Sequence, residues 1–105
     1  MSINPNSGEK ISLDVALELV SAFRSNHPKD IKASFVGIEK INLILSQPNC
    51  IGVRIYNGYD NGTGQLSPVL VGVDATGKDM TNGVILDRLM PCPSYCDTGS
   101  ELFSK

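Results

Sequence analysis

Two segments rich in β-branched residues constrain the fold of this chain more than any other feature. Segments 50–56 and 69–75 both carry Val or Ile at alternate positions. That period of two is typical of β-strands with one buried face. Residues 57–64 between them contain three glycines and two asparagines, which suit turns but make the connection too long for a two-residue hairpin. We therefore predict an antiparallel pair of strands joined by a mobile loop.

The N-terminal third of the chain begins with the pattern of an amphipathic helix. Apolar residues recur at helical spacing from Leu13 to Phe23. The hydroxyl of Ser12 can cap the free N–H groups of the first turn. Because Pro28 disfavours helical geometry in the residue before it, we predict that this helix ends near Asn26.

Three shorter segments complete the predicted fold. Apolar and polar residues alternate over 31–35, which predicts a short half-buried strand before Gly37. Helical spacing returns over 38–45 and ends at Pro48, and residues 84–86 favour a third strand of a meander. The sequence thus predicts an α+β fold, with two helices packed on a short, mainly antiparallel sheet of three or four strands.

Both ends of the chain have the composition of irregular structure. Residues 1–10 lack any hydrophobic period and predict a flexible N-terminal arm. Pro91 and Pro93 disfavour regular structure near the other end. We therefore expect a single α+β domain over residues 11–105, with an irregular C-terminal tail from about residue 91.

Charge and hydropathy exclude several classes of partner. The nine Lys and Arg residues nearly balance the eleven Asp and Glu residues, and the formal net charge is -2. Such a chain lacks the basic patch that binds nucleic acid or an anionic membrane. No apolar run approaches the ~20 residues of a membrane span, and the first ten residues contain no apolar signal-peptide core. We expect a cytoplasmic protein that binds neither nucleic acid nor membrane.

The Cys92-Pro93-Ser94-Tyr95-Cys96 segment is the most distinctive local motif. A zinc site is one interpretation, because Cys50, Cys92, Cys96 and His27 provide the four ligands of a tetrahedral centre. A disulfide between Cys92 and Cys96 is a second, although a reducing cytoplasm opposes a permanent one. The interpretation that we favour has reduced thiols that pack the tail, with Cys50 as a small buried apolar residue and no cofactor.

The same motif resembles the Cys-Pro-Tyr-Cys site of glutaredoxins, with Ser94 inserted. The resemblance implies thiol-disulfide chemistry at Cys92 and Cys96. Glutaredoxin-type sites place the first cysteine at a helix N-terminus after the first strand, whereas this motif lies near the end of the chain.

A strand that ends in Asp74-Ala75-Thr76-Gly77 resembles the nucleophile motif of haloacid-dehalogenase-type phosphotransferases. That family needs a long doubly wound domain, and only 31 residues follow Asp74. We predict instead a turn in which Gly77 has a positive φ and Asp74 accepts hydrogen bonds from nearby backbone N–H groups. No pair of residues suggests a general acid and base, so the chain is not expected to be an enzyme.

Taken together, the Gly-x-Arg-x-Tyr strand, the Asp74 turn and the Cys-Pro-x-x-Cys tail resemble a group of small uncharacterised bacterial proteins. The resemblance runs from about Leu13 to Cys96 and implies that strand, turn and tail belong to one fold unit, without implying an activity. It makes one set of residues a candidate binding surface: Arg54, Tyr56, Asp74 and Asp79.

The sequence therefore leads to two functional hypotheses. The first is a non-enzymatic module that binds a protein partner or self-associates as a homodimer through the sheet. The alternative is a small zinc-binding or thiol-redox protein that uses Cys92 and Cys96.

Overall fold

The computed structural model describes residues 2–104, which form two compact units. The first unit contains residues 2–8 and Val36–Leu89, and the second contains Glu9–Phe35 and residues 90–104. In chain order the elements are α1 (Leu13–Asn26), β1 (Ala33–Phe35), α2 (Ile38–Leu45), β2 (Cys50–Tyr56), β3 (Tyr59–Asp60), β4 (Gln65–Leu66), β5 (Val69–Asp74), β6 (Ile85–Leu86), β7 (Met90–Cys92) and α3 (Glu101–Ser104).

The first unit is built on a three-stranded antiparallel sheet in the order β2-β5-β6. Arg54 pairs with Val71 and Tyr56 with Val69, and a bulge interrupts the register between Cys50 and Gly52. The hairpin of the two β-branched segments and the third strand of the meander are both confirmed. With helices beside antiparallel sheets, the α+β class is confirmed as well.

Helix α2 packs on β2 and β5, and the absence of a side chain at Gly72 makes this close packing possible. A Cβ atom at Gly72 would lie 3.3 Å from Cγ2 of Ile44 and 3.1 Å from Sγ of Cys50. Ile44 is fully buried, and Leu70, Val71 and Val73 are nearly so. The core of the first unit is therefore formed by the buried side chains of β5 together with Ile44 of α2.

Part of the glycine-rich connection forms a second hairpin. Strands β3 and β4 pair with each other, and the N–H of Gly64 donates to the carbonyl of Asp60 at 2.8 Å. The side chain of Asp60 also accepts a hydrogen bond from the N–H of Gly62 at 2.8 Å. The structure thus adds two short strands to the predicted loop, while its mobility stays a prediction.

Residues 2–8 contain a hydrogen-bonded turn. The N–H of Ser7 donates to the carbonyl of Asn4 at 3.0 Å, and the N–H of Asn4 donates to the hydroxyl of Ser7 at the same distance. The flexibility of the predicted N-terminal arm stays a prediction, as does the single domain over residues 11–105.

In the second unit, α1 has the predicted boundaries. Ser12 Oγ accepts a hydrogen bond from the N–H of Val15 at 3.2 Å, and the helix ends at Asn26 with the N–H of His27 bonded to the carbonyl of Phe23. Its apolar stripe is only partly covered, because no residue of α1 is fully buried. None of the helices described between residues 2 and 104 has the length and apolar character of a membrane span.

A two-stranded sheet joins β1 to β7 in this unit, with Ser34 opposite Pro91. The structure therefore departs from the expected irregular tail in two places: Pro91 and Cys92 belong to β7, and Glu101–Ser104 form α3. Proline is tolerated in β7 because each strand of a two-stranded sheet has a free edge, where a missing N–H breaks no ladder bond. The predicted burial pattern of β1 is also wrong, since Ala33 and Phe35 are both exposed, Phe35 by 63%, while Ser34 between them is partly buried.

Candidate functional site

Three of the four candidate binding residues meet on one face of the three-stranded sheet. The period of two in β2 places Arg54 and Tyr56 on the same face. Asp79 forms an antiparallel bridge with Val73 on the side of β5 away from β2. Nη1 of Arg54 reaches across to Oδ1 of Asp79 at 2.5 Å, and the hydroxyl of Tyr56 donates to Oδ2 of the same carboxylate.

A third contact ties this cluster to the following turn. Nη1 of Arg54 also donates to the carbonyl of Gly77 at 3.3 Å. The Asp79 carboxylate thus receives one donor on each oxygen, and both side chains of the Arg54–Asp79 ion pair are partly exposed. Within this cluster the charges of Arg54 and Asp79 compensate each other. The arrangement therefore attaches the turn to the sheet and does not present an unpaired charge to a ligand.

The hydrogen bonds of the cluster shift the pKa of each member in a consistent direction. The hydrogen bond from Tyr56, followed by that from Arg54, lowers the pKa of Asp79 below the ordinary 3.8. The same hydrogen bond to Asp79 raises the pKa of Tyr56 above 10.0, and the bond to Asp79 also raises the pKa of Arg54. The cluster is therefore held in one protonation state, with an ionised carboxylate and a neutral phenol.

Asp74, the fourth candidate, makes its contacts inside the turn that follows β5. Its Oδ1 accepts hydrogen bonds from the N–H of Thr76 at 2.9 Å, the hydroxyl of Thr76 at 2.6 Å and the N–H of Lys78 at 3.1 Å. The Thr76 hydroxyl, then the Lys78 N–H, lowers the pKa of Asp74. Gly77 has φ +86°, as the turn prediction requires. This residue therefore shapes the turn and does not join the Arg54 cluster.

The outer edge of β2 borders an open groove. In the order β2-β5-β6 this strand is terminal, and no other described strand pairs with it. The groove has a volume of about 370 Å³, and it is lined by Ile3, Asn4, Pro5, Ser7, Ile51, Gly52, Val53, Arg54, Ile55 and Val73. A Cβ atom at Gly52 would meet no atom within 4 Å, and the side chain of Ile55 is 63% exposed. The side-chain position of Gly52 and the side chain of Ile55 are thus open to solvent beside this edge.

Cys92 and Cys96 are joined in a disulfide, with their Cα atoms 4.8 Å apart. The expectation of reduced thiols in the tail is therefore wrong for this structure, because the four-residue spacing brings the two sulfur atoms within bonding reach. Cys50 is free and only half-buried, and its thiol donates to the carbonyl of Gly52 at 3.2 Å.

The zinc interpretation finds no ligand cluster in the part of the chain that the structure describes. Between residues 2 and 104, no group of three or more His, Cys, Asp or Glu side chains could hold a metal ion. Instead of facing cysteines, His27 stacks on Phe23 with ring centroids 4.8 Å apart, and its Nδ1 lies 3.3 Å from Oδ2 of Asp30.

A second groove, of about 390 Å³, lies within the second unit. It is lined by Leu19, Val20, Phe23, Arg24, Lys32, Ala33, Cys92, Tyr95, Cys96, Asp97, Ser100, Leu102 and Phe103. Two basic side chains hold α3 at this groove. Nη1 of Arg24 donates to the carbonyl of Leu102 at 2.9 Å, and Nζ of Lys32 lies 4.4 Å from the centroid of the Phe103 ring.

Sequence reasoning missed several residues that organise these regions. Gln47 is one, since its Nε2 donates to the carbonyl of Ile44 and its Oε1 accepts from the N–H of Val84, both at 2.9 Å. Arg24 and Lys32 are others, because their contacts come from residues 78 and 71 positions further along the chain. No local pattern marks such contacts, which depend on the tertiary path of the chain.

Comparison of this chain with protein-family models, with curated proteins and with solved structures gives no match. The family resemblance of the sequence motifs therefore stays a prediction. Where that resemblance implied one fold unit, the structure places the strand and the turn in the first compact unit and the Cys-Pro-x-x-Cys tail in the second.

Proposed function

We propose that this protein is a non-enzymatic interaction module whose binding element is the edge of β2, and that a second copy of the chain is the partner. The observation that carries the proposal is the unpaired seven-residue edge of β2 beside an open groove. Free N–H and C=O groups along such an edge can hydrogen-bond to another strand.

The sequence of β2 suits antiparallel pairing with itself. A two-fold axis at Val53, the central residue, would pair the regular part of the strand and set Cys50 and Ile51, at the bulge, opposite Tyr56 and Ile55 of the second copy. Ile51 would then face Ile55 of the second copy, and Gly52 would face Arg54. This register matches apolar with apolar side chains and keeps the two Arg54 side chains from lying directly opposite each other.

Natural edge strands are protected from such pairing by lysine or proline, and β2 contains neither. The Arg54 guanidinium is held on its own sheet by Asp79, so it does not project across the edge. Pairing of two three-stranded sheets would produce one six-stranded sheet and would cover Ile55.

The oligomeric state of the purified protein tests this proposal. Light scattering after size-exclusion chromatography should give twice the monomer mass of 11.3 kDa. Ile55→Lys should give the monomer mass, because the charge would face Ile51 of the second copy. Ile38→Lys is the matched control: Ile38 is 74% exposed on α2, and this variant should remain dimeric.

A crosslink tests the register. In a Cys50→Ser background, Val53→Cys should form an intermolecular disulfide on oxidation, since directly opposed residues have Cα atoms about 4.5–5.5 Å apart, within the range that a disulfide spans. Ile38→Cys in the same background should not. A wild-type monomer at about 1 mM, a concentration at which even weak pairing is detected, or a dimer that survives Ile55→Lys, would show that the proposal is wrong.

The Cys92–Cys96 disulfide favours a second candidate, a thiol-redox protein. A dithiol catalyst would reduce an excess of a substrate disulfide and oxidise an added thiol in its place. The rate of this substrate reduction should fall to the uncatalysed rate in Cys96→Ser. Absence of turnover by the wild-type protein would exclude this candidate.

The compartment is part of the same proposal. We propose that the protein is located in the cytoplasm, where the glutathione pool would reduce an accessible disulfide. Thiol counting on protein alkylated in intact cells would test it: free Cys92 and Cys96 agree with the cytoplasm, and a fully bridged pair contradicts it.

A further inference from the structure

The second unit contains a disulfide next to a helix that is too short to hold its own position. Helix α3 has four residues, and an isolated helix of that length is not stable in water. Its place against α1 therefore depends on contacts made by its flanks. We propose that the Cys92–Cys96 disulfide is a reducible clamp on α3, and that a dithiol opens it by attacking the sulfur of Cys96.

The disulfide fixes the start of the segment that carries α3. Cys92 is anchored at the end of β7, where its carbonyl accepts a hydrogen bond from the N–H of Lys32 at 2.6 Å. Four positions later, Cys96 is tied to this anchor by the disulfide. A backbone hydrogen bond from the N–H of Tyr95 to the carbonyl of Pro91, at 2.9 Å, also ties the loop between the two cysteines to β7.

A short hydrogen-bonded connection transmits this constraint to α3. The N–H of Ser100 donates to the carbonyl of Asp97 at 3.1 Å, and the N–H of Phe103 donates to the carbonyl of Ser100 at 3.1 Å. The N–H of Gly99 bonds to the Asp97 side chain at 3.2 Å. With so few residues between Cys96 and Glu101, the position of Cys96 limits where α3 can lie.

What α3 covers is the apolar face of α1. Leu102 and Phe103 line the same groove as Leu19, Val20 and Phe23, and both cysteines of the disulfide line it too. Among the other contacts that hold α3 are the Arg24 hydrogen bond, which is exposed to solvent, and the Lys32 contact with the Phe103 ring. Exposed contacts of this kind are individually weak, so α3 would separate from α1 more often without the disulfide.

The two sulfur atoms differ in access. Cys92 is 6% exposed, whereas Cys96 is half-buried, so an incoming thiolate reaches Sγ of Cys96 first. A bond then forms between the reductant and Cys96, and the sulfur of Cys92 leaves as a thiolate that takes up a proton. The second thiol of the reductant displaces Cys96, which is also protonated. The protein disulfide thus gains two electrons and two protons, and the dithiol becomes a disulfide.

Hydrogen exchange with dithiothreitol as the reductant tests the clamp. The experiment uses Cys50→Ser protein, in which only the clamp cysteines react. After reduction, alkylation should count two thiols per chain, and amide exchange in peptides covering 97–104 and 19–26 should rise about tenfold or more. Exchange in β2 and β5 should not change.

The double variant Cys92→Ser/Cys96→Ser provides the matched control. Without reductant it should show the fast exchange of the reduced protein over 97–104, and dithiothreitol should have no further effect.

Three results would overturn the clamp. They are exchange that stays unchanged after two thiols have appeared, a disulfide that resists reduction while the protein is folded, and an increase spread equally over β2 and β5. The clamp does not depend on pairing of β2, so Ile55→Lys should respond to dithiothreitol as the wild type does. Opening the clamp consumes one dithiol per chain, whereas a redox catalyst would consume many dithiols per chain, so the two can be distinguished.

Discussion

Arg54 and Asp79 lie 25 residues apart in the chain and form an ion pair, with Nη1 and Oδ1 separated by 2.5 Å. The pair spans β5, because Arg54 belongs to β2 on one side and Asp79 bridges Val73 on the other. Tyr56 completes it by donating to the second oxygen of Asp79. Each member of this cluster therefore connects the edge strand β2 to the turn after β5, and this connection can be tested by substitution and by pH.

Acid should destabilise the protein in part through Asp79 and Asp74. Their pKa values are lowered from the ordinary 3.8, so their contribution to stability is present above about pH 4 and is lost as pH falls through the folded-state values. Asp79→Asn should lower the urea midpoint at pH 7 and reduce the loss between pH 4 and pH 2. Asp87→Asn, at an exposed position, is the control and should leave both unchanged. An unaltered acid profile in Asp79→Asn contradicts the assignment.

Alkaline pH should act through Tyr56. Because the bond to Asp79 raises its pKa above 10.0, the stability it contributes is present below pH 10 and is lost as pH rises through the folded-state value. Absorbance titration should show a tyrosine ionisation step at a pH above the ordinary 10.0. Tyr56→Phe should remove that step, and Asp79→Asn should move it to lower pH. If Tyr59→Phe removes the step instead, the hydrogen bond has been assigned to the wrong tyrosine.

Gly77 should be sensitive to any side chain because its φ is +86°. We expect Gly77→Ala to lower the free energy of unfolding by roughly 1 kcal/mol, since an alanine Cβ is strained in the left-handed region. Gly52→Ala is the matched control: a Cβ at this glycine would meet open space and its φ is not positive, so the variant should be no less stable than the wild type. Chemical denaturation of the two variants compares them directly, and equal stabilities would contradict the turn geometry.

Gly72 should be sensitive for a different reason, the close approach of α2. A Cβ there would lie 2.8 Å from Nε2 of Gln47 and 3.1 Å from Sγ of Cys50. Overpacking of this kind costs about 1–3 kcal/mol, and we expect Gly72→Ala to lose that much stability in urea. Adding Gln47→Ala should not restore it fully, because Cγ2 of Ile44 is also within 3.3 Å. Wild-type stability in Gly72→Ala would mean that α2 packs less closely on β5 than these distances indicate.

Loss of the disulfide should cost stability as well as loosen α3. Cross-linking over so short a loop stabilises the folded chain by about 2 kcal/mol in the chain-entropy account. Cys96→Ser should lose about this amount, whereas Cys50→Ser, which removes a free and half-buried thiol, should lose less. Denaturation of both variants under oxidising conditions is the measurement. If wild-type protein is no less stable after reduction, the disulfide does not stabilise the fold.

Much of the fold could be predicted from the sequence because its determinants are local. Ser12 and Pro28 bound α1 by capping and by backbone sterics, and the alternation of Val and Ile produces the β2–β5 pair. The role of Asp74 could also be predicted, since its hydrogen bonds stay within four residues. The same local reasoning failed at Pro91, where the number of strands in the sheet decides whether proline is tolerated.

For the candidate sites, the sequence by itself determined the chemistry that is available: an arginine and a tyrosine on one strand face, a nearby aspartate, and two cysteines four positions apart. Only the tertiary structure decided that Arg54 and Tyr56 converge on Asp79 while Asp74 turns away, and that α3 returns to Arg24. The reason is physical. Hydrophobic periods and turn residues specify single elements, whereas the contacts that build a site join residues far apart in sequence, whose positions depend on the packing of the chain as a whole.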